Sequence, residues 1–242
     1  MSLSFFDFLG RAADNPALAV TSLLTLAVLL VNGWTDAPNA IAGAVVTGAL
    51  PFRRAVLLAA GCNLLGVLCV TSVNASVAQT VYSIASFQGG PRPALAALCA
   101  AMTAIVLWAA AAWRFGIPTS ESHSLIAGLS GAAIAIQNGV GGINMSEWVK
   151  VLYGLVASLA LGFCIGWVVC KGLTILCRKM DRRRTNQFFT GAEIFGAAAM
   201  SFMHGAQDGQ KFIGVLFLGV AFSNGMSSVE GVLIPVWLML LC

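Results

Sequence analysis

Two nine-residue segments, 172 positions apart, set an acid among helix-breaking and polar residues inside otherwise apolar sequence. The first is Asn32-Gly33-Trp34-Thr35-Asp36-Ala37-Pro38-Asn39-Ala40; the second is His204-Gly205-Ala206-Gln207-Asp208-Gly209-Gln210-Lys211-Phe212. Gly and Asp coincide, and a polar side chain precedes each Asp. A third polar cluster is Gly116-Ile117-Pro118-Thr119-Ser120-Glu121-Ser122-His123-Ser124. Pro118 suits a helix start, and the N–H groups left unpaired there, with the positive dipole end, make a seat for an anion. Ser120 and Ser122 add hydroxyl donors, and carboxylates supply acceptors only. The chemistry of this set is reversible binding of an anion together with a cation.

Charges inside apolar runs are rare and mark function. Here they are Asp36, Glu121, Glu193, Asp208 and Lys211, with Lys171 near a span end. Glu193 is only nine residues from Arg184, and Lys171 is able to snorkel to an interface, so both read as structural. A hydrolytic pair of Ser120 and His123 lacks a Gly-x-Ser-x-Gly elbow and leaves the duplicated Asp segments without a task, so no enzyme is expected. The seven cysteines are odd in number, form no Cys-x-x-Cys and sit mostly in apolar runs; they read as small buried hydrophobes rather than zinc ligands or a disulfide framework.

The elements that hold these residues must be membrane helices. Of 242 residues, 59% are hydrophobic and 9% charged, with a mean hydropathy of +0.89. That is far below the ~25% charge of a soluble domain and excludes a soluble enzyme, an exported disulfide scaffold and a disordered chain. The expected fold is an all-α polytopic membrane protein of about seven or eight passes. Apolar stretches run over 17–50, 54–73, 93–113, 118–137, 148–177, 189–207, 210–223 and 229–242. The net charge of +4 comes from the run 177–184, which reads as a cytoplasmic loop rather than a nucleic-acid-binding face. Eight basic residues at the junctions of the first five spans fall on the side of that loop and three on the other, which puts the N-terminus outside and 178–188 in the cytoplasm. The first 16 residues show no cleaved signal peptide. Five passes before the loop invert whatever follows it. The expected organisation is a first transmembrane repeat over 1–177, a basic cytoplasmic linker over 178–188 and the start of an inverted second repeat over 189–242. Inverted repeats with broken or re-entrant helices are a signature of secondary transporters, and the breaks mark the substrate site.

The three polar segments together resemble the inorganic phosphate transporter family, whose members carry a Gly-x-Asn-Asp-x-x-Asn-Ala motif in each inverted half, followed by a Pro-x-Ser-x-Thr-His segment. Gly33 to Ala40 matches the first motif with Thr35 in place of Asn. Pro118 to His123 matches the hydroxyl segment with Glu121 and Ser122 at the usual Thr positions, and Met203 to Lys211 matches the second motif in the Asp-Gly-Gln-Lys form of the bacterial low-affinity branch. The resemblance implies that Asp36, Ser120, Ser122 and Asp208 bind phosphate. It implies that Asp36, Asn39, Asp208, Thr35 and Gln207 serve cation coupling, with Asp36, Asn39 and Asp208 as ligands if the cation is Na⁺. Glu121, His123 and Lys211 support the site, and an ammonium at Lys211 takes a cation's place or pairs with Asp208. The spacing from Asp36 to Pro118, carried over to Asp208, runs past Cys242, so the second repeat is expected to be incomplete.

The implied activity is secondary active phosphate symport with H⁺ or Na⁺ across the cytoplasmic (inner) membrane, without a cofactor. The expected partners are inorganic phosphate and the lipid bilayer, with a homodimer as an option and no nucleic acid. A carboxylate discriminates here because phosphate near neutral pH keeps a proton to donate and sulfate keeps none; an unmatched acceptor costs about 1–3 kcal/mol. The alternatives are a non-transporting truncated membrane subunit and a permease for another oxyanion such as sulfate.

Overall fold

A computed structural model describes residues 4–85, 87, 90–224 and 234–242, the side chains of Tyr82, Arg182 and Arg184 excepted. Ten α-helices are present among the described residues: α1 Phe5–Asp14, α2 Pro16–Thr35, α3 Ala37–Val46, α4 Phe52–Val73, α5 Ser76–Ser83, α6 Pro91–Phe115, α7 Glu121–Gln137, α8 Met145–Cys177, α9 Arg182–Ser223 and α10 Val236–Leu241. An isolated bridge between Ala85 and Ile143 is the only extended pairing among them. The all-helical membrane fold expected from composition is what the chain adopts. Among the described residues, four segments are long and apolar enough to cross a membrane: Pro16–Val46, Phe52–Val73, Pro91–Phe115 and Met145–Leu176.

Local chemistry sets the helix ends. The Asn15 side chain accepts from the N–H groups of Ala17 and Leu18 at 3.1 and 3.3 Å, and Pro16 opens α2 where its missing N–H is not needed. Gly116 closes α6 at φ 67°, a left-handed conformation that glycine adopts without a Cβ penalty. The α2–α3 break has a specific cause. Pro38 has no N–H to give the Trp34 carbonyl, and its ring crowds that carbonyl, so the helix yields at Asp36.

The second Asp segment behaves differently. The apolar stretches 189–207 and 210–223 are one helix, α9, which runs 42 residues without a break and takes in the second half of the basic run. Gly205 and Gly209 lower helix propensity by about 1 kcal/mol each but keep their N–H groups, whereas proline removes one. Only the first of the two segments is therefore a helix break.

α9 is the axis of the assembly, and α2, α3, α4, α5 and α6 all pack against it. Lipid tails are as apolar as leucine, so helix association in a bilayer relies on close approach of small residues. A methyl group at Gly66 of α4 would overlap the Phe202 carbonyl, one at Gly205 the backbone of Asn63, and one at Gly209 the Val67 side chain. The core between α2, α6, α7 and α9 is filled by Val28, Leu98, Met102, Ile105, Leu125, Leu129, Phe212 and Val215. In contrast, α8 has no buried residue along its length. The cysteines correct the reading made from their apolar surroundings: all seven are free and none is fully buried, with Cys69, Cys164 and Cys170 exposed. An apolar neighbourhood in a membrane helix marks a lipid-facing surface as readily as a core.

Candidate functional site

The two Asp segments meet on one amide. The Asn32 side chain, 4% exposed, donates to Asp208 Oδ2 at 2.9 Å and lies 3.4 Å from Asp36 Oδ2. Asn32 stands one helical turn before Asp36, and His204 stands one turn before Asp208, the same register in both segments. His204 Nε2 is 3.3 Å from Asp208 Oδ2, and its Nδ1 is 2.8 Å from Asn63 Oδ1 on α4. Asn63 in turn donates to the Ala59 carbonyl at 2.8 Å, which fixes its oxygen toward the histidine.

Lys211 links α9 to α7. Its ammonium donates to Asp208 Oδ1 and to Ser122 Oγ. Asp208 therefore holds a cation, an amide donor and an imidazole around a buried carboxylate. Among the described residues, Asp36, at the α2–α3 junction, is served only by long contacts, from Asn32 and from the Glu121 N–H at 3.5 Å. Glu121 itself is 2% exposed, and neither carboxylate oxygen has a hydrogen-bond partner among the described residues.

Two hollows flank this cluster. A cavity of about 420 Å³ presents Asn32, Asn63, His204 and Asp208 against an apolar wall that includes Ile41, Phe52 and Leu240. That is within the range of small-ligand sites. A second hollow, of about 240 Å³, reaches Ser122 and Lys211 from the α5 side beside Ser76 and Thr80. The Asp208–Lys211 pair forms the partition, with its acid on the first hollow and its ammonium on the second.

The residues expected from sequence divide accordingly. Asp36, Asp208, Ser122, Lys211 and Glu121 come together. Thr35 donates its hydroxyl to the Val31 carbonyl of its own helix at 2.9 Å. Asn39 and Gln207 are exposed. Ser120 and His123 line a third hollow, between α6 and α7, beside Trp108 and Thr119, which are joined by a 2.8 Å hydrogen bond. Asn32 and Asn63 were not among the expected site residues. The shared register of Asn32 and His204 was a legible signal for the first; Asn63, alone in an apolar run, gave little.

The phosphate transporter family model matches residues 32–242 of the chain. A probable low-affinity inorganic phosphate transporter of Bacillus subtilis is 31% identical over 228 residues, covering 93% of this chain and 66% of that protein. One of Mycobacterium leprae is 30% identical over 225 residues, covering 93% and 53%. The low-affinity inorganic phosphate transporter PitB of Escherichia coli is 32% identical over 227 residues, covering 81% and 45%. The chain thus spans about half to two-thirds of the length of these curated relatives. A solved structure described as the sodium-dependent phosphate transporter superposes with a TM-score of 0.75 at 20% identity, over 94% of this chain and 73% of that one, and it shares the fold.

Proposed function

Since the chain belongs to the phosphate transporter family, a family of transporters and not enzymes, we propose that it carries inorganic phosphate across the membrane by symport with a cation. The observation that carries this reading is the convergence of Asp36, Asp208, Lys211 and Ser122 on one polar cluster inside a bundle with membrane-length apolar helices. The Lys211 ammonium and the Ser122 hydroxyl are donors to phosphate oxygens. The Asp36 and Asp208 carboxylates accept a P–OH proton that sulfate does not offer. A bare oxyanion beside these acids would be repelled, so entry of a cation makes phosphate binding favourable, and the two solutes move together.

Alternating access suits a site held between two hollows. Opening one or the other requires the Lys211–Ser122 link between α9 and α7 to break or to be replaced by substrate. In this reading the N-terminus is outside and 178–188 cytoplasmic. The chain divides into a first repeat over 1–177 and an inverted second repeat from 189, with Ser120 joining the phosphate path and Asn39, Thr35 and Gln207 engaging the cation in another conformation. Either H⁺ or Na⁺ serves as the driving ion.

Uptake of labelled phosphate tests the proposal. Asp36→Asn and Asp208→Asn are each expected to abolish uptake while the protein still reaches the membrane. Competition by arsenate but not by sulfate is expected for the unmutated protein. Near-normal uptake in both variants would overturn the assignment of these acids.

A further inference from the structure

α1 takes no part in the polar cluster, yet its sequence is sharply two-sided. At 100° per residue, Phe5, Phe6, Phe8, Leu9, Ala12 and Ala13 fall on one half of the helix, and Asp7, Gly10, Arg11 and Asp14 on the other. The apolar half is itself divided by the fold. Phe8 is buried, and the rings of Phe8 and Phe5 lie 5.3 and 5.4 Å from that of Trp237, in the first turn of α10. Phe6 and Leu9 are 80% and 46% exposed. On the polar half, Arg11 donates at 2.6 Å to the side chain of Asn224, the C-terminal cap of α9, while Asp7 and Asp14 are exposed. The level of α1 is fixed as well. Extended Asn15 separates it from Pro16, where a membrane-length apolar segment starts. A methyl group on Gly219 of α9 would touch Leu18 and Thr21 of α2, so the end of α9 lies beside the start of α2. The start of α2, the end of α9 and the start of α10 thus share one end of the bundle, and α1 runs across it.

We propose that α1 is an in-plane membrane anchor whose Phe6–Leu9–Ala13 side embeds among the acyl chains just below the headgroups of one leaflet. Its ten residues make about 15 Å of helix, half of the ~30 Å of hydrocarbon, and three of them are charged, so α1 does not cross the bilayer. A helix of this pattern lies in the interface with its apolar side sunk into the headgroup–acyl boundary. The occupant is lipid because the surface is continuous with one that already faces lipid: shortly after Pro16 the membrane segment exposes Val20 and Leu23. Trp237, against which α1 packs, is of the residue type that gathers at this level of a bilayer. Charge narrows the lipid. Asp7 and Asp14 outnumber Arg11, which is committed to Asn224, so contact relies on apolar insertion and does not call for anionic headgroups. The anchor is also a strap: through Trp237 and Asn224 it ties the leaflet to the end of α9, the helix that carries Asp208 and Lys211. This role goes beyond the symport reading and holds on either side of the membrane.

The test places the photoreactive residue p-benzoylphenylalanine in the full-length protein at one position at a time, in place of Phe6, Leu9, Asp7 or Asp14, in phosphatidylcholine nanodiscs. Mass spectrometry of the N-terminal peptide after irradiation reads the partner. The positions of Phe6 and Leu9 are expected to gain the mass of phosphatidylcholine, and those of Asp7 and Asp14 to stay largely unlabelled. Adding anionic phosphatidylglycerol is expected not to raise the yield. A second measurement needs no photoreactive residue: hydrogen exchange of the α1 amides in nanodiscs, compared between the unmutated protein and Phe6→Ser/Leu9→Ser. Loss of two apolar side chains from the interface is expected to speed this exchange at least about tenfold, while the amides of α4 keep their protection. Adducts to protein at positions 6 and 9, from a second copy or from another segment of the chain, overturn the proposal. So do equal lipid labelling at all four positions, no adduct at positions 6 and 9, a yield that rises with phosphatidylglycerol, and α1 exchange indifferent to the double substitution.

Discussion

Replacing Lys211 with methionine removes the ammonium and keeps most of the side-chain volume, so the change isolates charge. Asp208 is 8% exposed and would lose its one full counter-charge, and Ser122 would lose its donor. Removing one member of a buried ion pair costs about 3–5 kcal/mol when the survivor is left alone. Asp208 is not left quite alone. The Asn32 amide still donates at 2.9 Å. A hydrogen bond to a charged group contributes about 1.5–3 kcal/mol, so part of the loss is offset and a net destabilisation of ~2–3 kcal/mol is expected. Asp208→Asn alone strands the Lys211 ammonium and should destabilise by a similar amount. The double variant removes both charges. If the pair interacts as the geometry indicates, the double variant is more stable than the sum of the singles by about 1.5–3 kcal/mol, within the range seen for residues in one ion-pair network. The assay is a double-mutant cycle on reversible unfolding in mixed micelles, followed by the fluorescence of the six tryptophans. Additivity within about 0.5 kcal/mol would refute the argument, since independent sites add to that precision. A Lys211→Met protein as stable as the original would refute it as well.

Two further expectations concern the backbone. Pro38→Ala restores the N–H that the Trp34 carbonyl lacks and should join α2 to α3; it is expected to raise the unfolding midpoint while reducing phosphate uptake, because Asp36 loses the break that positions it. A variant with uptake near the original would show that the break is dispensable. Gly205→Leu drives a side chain into the Asn63 backbone and should prevent the α4–α9 contact, giving little monodisperse protein in detergent. Gly162→Ala, on α8 with nothing within 4 Å of the added methyl, should instead be neutral or stabilise by up to ~1 kcal/mol. Equal tolerance at the two glycines would refute the role given to close packing.

The amino-acid sequence alone determined the solvent of this protein, because 9% charge leaves a bundle nothing but lipid to face. It also determined one break, since a proline two residues past Asp36 removes a hydrogen bond in any surroundings. The two acids stood out for a related reason: a carboxylate in an apolar run is too expensive to be incidental. Tertiary structure decided the rest. Gly205 and Gly209 looked like breakers, yet they lie where α4 approaches closely, and packing kept α9 continuous. Ser120 and Ser122 are two residues apart, but Ser120 is the extended residue that precedes α7 and Ser122 lies in its first turn, so the two side chains meet different neighbours. One lines the α6–α7 hollow, and the other accepts from Lys211. Asn32 became the bridge between the acids only when α2 was laid against α9. Glu121 stood out in the sequence as a charge inside an apolar run; only the packed bundle leaves its carboxylate buried with no hydrogen-bond partner among the described residues. The physical reason is common to all of these. In water an apolar stripe tells which side of a helix turns inward. In a membrane the lipid-facing side is as apolar as the core, so the face that each polar residue presents is settled by the neighbouring helices.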